Sequence, residues 1–228
     1  MSEPYYKPCR ELDICNELPC RAYLSANFTE AVCGSGKSAE RNAKMKLIIS
    51  FSGRANGNCD QIASFVSMQN DRIVYFRDLN IHSCANCDYE CFEKACKYRD
   101  DDVYALYESM LSYDKVILIV PMYCGNPLSL YFIFNERCQD YFMHNDTYET
   151  ILQKLYIIGI YGKREENPDF IPCLEKWFAD SKLQKRVLGL ERHLYGKKLN
   201  DSILDVEKIK TRVFAFLNDD DKGETYEI

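Results

Sequence analysis

Histidine is scarce in this chain: His82, His144 and His193 are the only three in 228 residues. None stands in a Gly-x-Ser-x-Gly or His-Glu-x-x-His setting, so the familiar serine-hydrolase and zinc-hydrolase patterns are missing. No apolar run approaches the ~18 residues that a membrane span needs. The N-terminus lacks a basic segment leading into an apolar one, so no signal peptide is expected. Lys and Arg (29) do not outnumber Asp and Glu (35), and the net charge of −6 leaves no basic footprint for nucleic acid or an anionic membrane. There is no internal repeat and no low-complexity tract. The stretch Ala31-Val-Cys-Gly-Ser-Gly36-Lys37-Ser38 satisfies a relaxed P-loop pattern, but no apolar strand precedes it, and it is set aside.

What the chain has in quantity is cysteine, twelve in all. Without an export signal these are expected to stay reduced in the cytosol. Cys138 and Cys173 lie in helical patterns and read as small buried hydrophobes. Cys84, Cys87, Cys91 and Cys96 are different, with four thiols spaced C-x2-C-x3-C-x4-C. Thiolates are soft ligands, and so dense a set suits an iron–sulfur cluster or Zn²⁺. Three readings stay open: a [4Fe–4S] cluster, a structural zinc site, or a loop of reduced thiols without metal. His82 reads as a loop residue beside this segment.

Residues 1–45 form a polar extension with Cys9, Cys15, Cys20 and Cys33 at irregular spacing. Residues 46–228 carry the elements of a complete domain. Residues 46–51 read as a buried strand, 57–68 as a helix and 72–76 as a strand. Asp101 and Asp102 open a helix whose Val103, Leu106, Tyr107, Met110 and Leu111 share one face. The acidic run Asp100–Asp102 reads as a solvated helix start, favoured by the helix dipole. Residues 115–120 are the clearest strand, and Pro121 is expected to stop it. A mostly apolar helix over 127–143, a strand over 155–160, a helix over 169–182, a strand over 186–190 and a helix over 203–217 follow. Alternating apolar strands and helices predict a parallel sheet covered on both faces. Ligands of such sheets bind beyond the carboxyl ends of the strands.

Two loops at that edge carry chemistry. The first strand runs into Ser50-Phe-Ser52-Gly-Arg54-Ala-Asn56-Gly-Asn58-Cys59 and then a helix. Small donors and an Arg at a helix N-terminus suit a phosphate, and an ordinary capped turn is the plain alternative. The third strand ends in Pro121-Met122-Tyr123-Cys124-Gly125-Asn126-Pro127. There the backbone can meet the edge of a flat heterocycle, and Tyr123 can cover a face.

With Ser-x-Arg-x-Asn-Gly-Asn, the Cys-rich segment ending near Asp-Asp, and Pro-x-Tyr-x-x-x-Pro-x-Ser in this order, residues 46 to about 217 resemble the NAD(P)H-dependent FMN reductases of the flavodoxin-like superfamily. The iron–sulfur flavoprotein branch is the most similar. The resemblance implies a flavodoxin-like, doubly wound five-stranded parallel sheet with helices on both faces. It implies that Ser52, Arg54, Asn56, Asn58 and Cys59 hold the FMN phosphate, and that Pro121, Met122, Tyr123, Gly125 and Asn126 line the isoalloxazine. Tyr161-Gly162-Lys163 would be a third flavin loop. Arg137 matches a family Arg with a structural or interface role. Cys59 stands where the family pattern has Thr, and the middle cysteine gap is one residue longer than in iron–sulfur members.

The expected function is that of a cytoplasmic FMN-dependent oxidoreductase. It would draw electrons from NADH or NADPH and pass them to an acceptor or a thiolate-held cluster, as a homodimer or higher homo-oligomer, with no nucleic-acid or membrane partner. The alternatives are a flavodoxin-like electron carrier without nicotinamide chemistry, and a metal-stabilised binding module that has lost flavin. No catalytic side chain is expected, because the flavin carries the chemistry.

Overall fold

A computed structural model of the protein describes residues 44–218, apart from residues 86 and 180. Cys9, Cys15, Cys20, Cys33 and all but the last two residues of the 1–45 extension lie outside the described residues.

Five strands form the parallel sheet: β1 (Lys46–Ser50), β2 (Arg72–Tyr75), β3 (Lys115–Tyr123), β5 (Leu155–Tyr161) and β6 (Val187–Glu191). A two-residue strand, β4 (Asn126–Pro127), pairs only with the end of β3. The order β2-β1-β3-β5-β6 is the flavodoxin-like one, with its reversal between β1 and β3. Registers such as Ile48↔Ile117 and Ile119↔Ile158 align the apolar runs, so the central strands β1, β3 and β5 bury both faces.

The period of two along the strands sorts the core into two layers. Ile48, Ile117, Ile119 and Ile158 face α1 (Asn58–Val66) and α6 (Glu207–Leu217). Leu47, Ile49, Val116, Leu118 and Ile157 face the other layer. That layer holds α2 (Asp102–Met110), α3 (Ser129–His144), α4 (Tyr148–Leu152) and α5 (Phe170–Glu175). At Gly159 in β5, an added Cβ would meet Leu174 and Phe170 at 2.8 Å, so glycine is what lets α5 lie this close.

Several expectations change in detail. Pro121 does not stop β3, which continues to Tyr123. Pairing with β1 ends at Ile119, so the missing Pro121 N–H leaves no gap in that ladder. Asn126 and Pro127 pair with β3 instead of opening the next helix, so α3 begins at Ser129. The helix expected over 169–182 is α5 followed by a 3-10 turn, Lys176–Phe178. The one expected over 203–217 begins as a separate 3-10 turn, Ile203–Asp205. No helix among the described residues is long and apolar enough to cross a membrane.

Candidate functional site

The loop after β1 is built around a buried carboxylate. Asp60, in the first turn of α1, accepts from Ser50 Oγ at 2.6 Å and from Asn56 N at 2.9 Å. Arg77 pairs with it at 3.0 Å and also donates to Ser52 O at 3.2 Å. These bonds hold Asn56 in the left-handed region at φ 58° and set the loop without a ligand. Gly57 caps α1 with no side-chain hydrogen bond, so the helix's first N–H groups lack a capping side chain. Arg54 arches over this point: its Nε would lie 3.7 Å from a Cβ on Gly57, and its Nη1 donates to Asn200 Oδ1 at 3.1 Å. Uncapped donors, a helix dipole and a fixed cation together form a ready anion cradle.

The sequence-expected residues divide here. Ser52, Arg54, Asn58 and Cys59 border one cleft of about 320 Å³. Asn56 does not; it borders a separate surface hollow with Asp60, Gln61 and Tyr75. The Asn58 amide is already engaged, donating to Asp201 O at 3.1 Å and accepting from Ile203 N at 3.0 Å. It therefore ties α1 to the segment after β6, leaving its backbone N–H for an anion. The Cys59 thiol belongs to the apolar layer beneath α1, and burial pushes it far above the usual thiol range. It is a core residue that offers the cleft its backbone.

The far wall comes from β3, where Pro121, Met122 and Tyr123 border the same cleft. Cys124 (φ 47°) and Gly125 (φ 82°) form a two-residue hairpin turn, both in the left-handed region that a type I′ turn requires. Gly125 and Asn126 build that turn and do not border the cleft. Tyr123 is 64% exposed at the mouth. Leu128, Ile160, Tyr161, Arg192 and Leu199 complete the lining. Gly162 does not border the cleft; a Cβ there would lie 3.6 Å from Arg192 Nη2. Arg192 and Leu199 were missed from the sequence. The available signal was an Arg directly after the last apolar strand, where ligand groups of such sheets sit.

The thiol segment lies on the opposite layer, over α3. Arg137 is buried, ion-paired with Asp101 at 2.5 Å, and donates to His82 O at 2.9 Å and Tyr98 O at 2.8 Å. It thus pins both ends of the segment. Asp101 is not the solvated residue expected: it is buried, accepts from Val103 N as the α2 cap and accepts from His82 N. One turn after another, α3 presents Glu136 to Cys84 N, Asp140 to Cys96 N and His144 to Cys91 O. This stripe was hidden in a helix read as mostly apolar. His82 stacks on Tyr98 at 4.6 Å.

Cys84, Cys87, Cys91 and Cys96 are not assembled as a ligand set. Among the described residues, no three Cys, His, Asp or Glu side chains stand where one metal ion could bind them. The longer middle gap has a visible consequence, since Asp88 (φ 45°) and Tyr89 (φ 59°) turn the chain between Cys87 and Cys91. Partial burial, and then the neighbouring thiols, push Cys84 upward. For Cys91 the causes are burial, then Asp140, then the thiols. As placed, these thiols give an iron–sulfur cluster no ligand set, whereas the cleft at the β1–β3 edge has the donors that a phosphate-bearing ligand needs.

No protein-family model matches the chain, and no curated protein matches it by sequence. Solved structures do match. The Trp repressor binding protein of Bacillus subtilis superposes with a TM-score of 0.51 at 14% identity, over 78% of this chain and 99% of that one. A flavone reductase superposes with a TM-score of 0.51 at 16% identity, over 76% of this chain and 61% of its own. At these identities the likeness establishes the fold, in agreement with the strand order.

Proposed function

We propose that the protein is an FMN-dependent NAD(P)H oxidoreductase. The observation that carries this is the cleft at the β1–β3 reversal, joined to an uncapped helix N-terminus and the Arg54 guanidinium. Flavodoxin-like sheets place FMN at this switch point. That one structural neighbour is a flavone reductase supports the same class of chemistry. Bound FMN would supply hydride acceptance from NADH or NADPH and electron delivery to an acceptor.

The chain's own residues bind and orient. Backbone N–H groups from Gly57 to Cys59, Ser52 and Arg54 hold the phosphate. Asp60 and Arg77 keep that loop in shape. Pro121, Met122 and Leu128 offer a flat wall, and Tyr123 at the mouth meets whatever stacks on the exposed face. In this reading the protein works in the cytoplasm as a homodimer or higher homo-oligomer. The thiol segment is a braced loop whose geometry gives a cluster no support.

Flavin fluorescence quenching on titration of the protein tests the proposal. FMN should bind at least tenfold more tightly than riboflavin. Arg54→Gln should remove most of that preference, because a charge-assisted bond contributes about 1.5–3 kcal/mol. The loaded protein should oxidise NADH or NADPH. Failure to take up FMN would point to a binding module without flavin. Uptake without nicotinamide oxidation would point to an electron carrier.

A further inference from the structure

Arg192 stands apart from the other arginines at the carboxyl edge of the sheet. Arg77 is paired with Asp60, and Arg54 is tethered to Asn200. Arg192 borders the cleft half-buried, and its guanidinium has no hydrogen-bond or ion-pair partner among the described residues. Its backbone is held firmly. Its N–H donates to Tyr161 O at 3.0 Å, and its carbonyl accepts from Tyr195 N and Lys197 N at 3.1 Å each. Gly196, at φ 64°, lies within that return. Gly162 carries no side chain to block the guanidinium, whose Nη2 would lie 3.6 Å from a Cβ there. Burial pulls Arg192 below the usual guanidinium value, and Asp201 partly offsets this. The Asp201 carboxylate itself accepts from Lys198 N. A partly desolvated guanidinium on a held backbone, bordering the cleft without a protein partner, is placed to meet an anionic group of a ligand.

We propose that Arg192 is a cofactor-facing cation that takes up the negative charge a flavin gains at its pyrimidine edge on reduction, and so raises its midpoint potential. This rests on the FMN reading above. The phosphate cradle lies at the end of β1. Arg192 reaches the end of β5, two strand spacings away, or roughly 10 Å. A ligand whose phosphate lies in the cradle can extend along the sheet edge toward Arg192. In the reaction the nicotinamide C–H bond breaks and an N–H bond forms at flavin N5. The electron pair enters the ring system, leaving negative charge on the pyrimidine edge, and the nicotinamide becomes the oxidised cation. A cation already in place there stabilises the reduced form more than the oxidised one.

The test is the two-electron midpoint potential of the FMN-loaded protein, wild type against Arg192→Gln and Arg192→Lys. Binding of oxidised FMN and riboflavin is measured on the same samples. Arg192→Gln should lose tenfold to a hundredfold in preference for reduced flavin. That corresponds to a potential lower by about 30–60 mV, at ~30 mV per tenfold for two electrons. Oxidised FMN should bind within about threefold of wild type, and Arg192→Lys should recover most of the potential. An unchanged potential in Arg192→Gln overturns the proposal. So does a loss of oxidised FMN affinity that riboflavin does not share, which would make Arg192 a phosphate contact. If Arg192→Gln does not fold, Arg192→Lys decides alone, since a potential more than 30 mV below wild type would contradict a role met by charge. Wild-type protein that binds no FMN removes the reading beneath the proposal, an outcome distinct from a loaded protein with an unmoved potential.

Discussion

Replacing Arg137 by Met should destabilise the fold severely, and the structure gives the size of the effect. The Arg137 and Asp101 side chains are 1% and 2% exposed. Arg137→Met leaves the Asp101 carboxylate buried without its guanidinium partner, with the N–H groups of His82 and Val103 as donors and the His82 imidazole 3.6 Å away. It also removes the donor to the carbonyls of His82 and Tyr98. Breaking one side of such a pair costs about 3–5 kcal/mol, a large part of a domain's usual stability of about 5–15 kcal/mol. Urea unfolding followed by Trp177, the chain's single tryptophan and 6% exposed, reports the loss directly. The double variant Arg137→Met with Asp101→Asn removes both charges while Asn keeps the cap on α2. It should recover about 2 kcal/mol relative to the sum of the two single variants. Thiol labelling should become faster at Cys84 and Cys96, whose flanks Arg137 pins. A loss below about 1 kcal/mol in Arg137→Met, or strictly additive single variants, would refute the reasoning.

Gly159→Ala should cost about 1–3 kcal/mol in the same assay, because its Cβ enters at 2.8 Å from two fully buried side chains that cannot both withdraw; an unchanged midpoint would mean that α5 is free to shift. Asp140 carries a buried oxygen without a partner, and burial raises its pKa, opposed by His144, by the Cys96 N–H and by Arg99. A raised folded-state value favours folding below the unfolded carboxylate value of about 3.9 and loses that advantage as pH rises through the folded value. Asp140→Asn should therefore be at least as stable as wild type at neutral pH, with the gap closing on acidification; a wild type that gains on the variant as pH rises would contradict this.

The strands were legible because buried parallel strands are continuous apolar runs, and 46–51, 115–120 and 155–160 are such runs. The loops at their carboxyl ends followed from the same reading, which is why Ser52, Arg54, Pro121, Met122 and Tyr123 appear both in the expectation and around the cleft. Helix ends were less legible. The 3-10 turns at Lys176–Phe178 and Ile203–Asp205 keep a helical apolar period while breaking the α-helical hydrogen bonds. The three readings of the thiol segment stayed open in the sequence because spacing alone does not tell whether side chains converge. Asp88 and Tyr89 turn the backbone between them.

The sequence by itself determined the class of fold, the parallel character of the sheet and the edge at which the cleft opens. Each of these depends on local periodicity and on residues adjacent in the chain. Only the tertiary structure decided which distant groups meet. Arg54 finds Asn200 across 146 positions, Asn58 clamps the segment after β6, and Arg137 closes on Asp101 beneath the thiol segment. Arg192 reaches the cleft for the same reason. The order of strands is set by how the helices cover the two faces of the sheet, and that packing lays the last strand's end beside a site begun by the first.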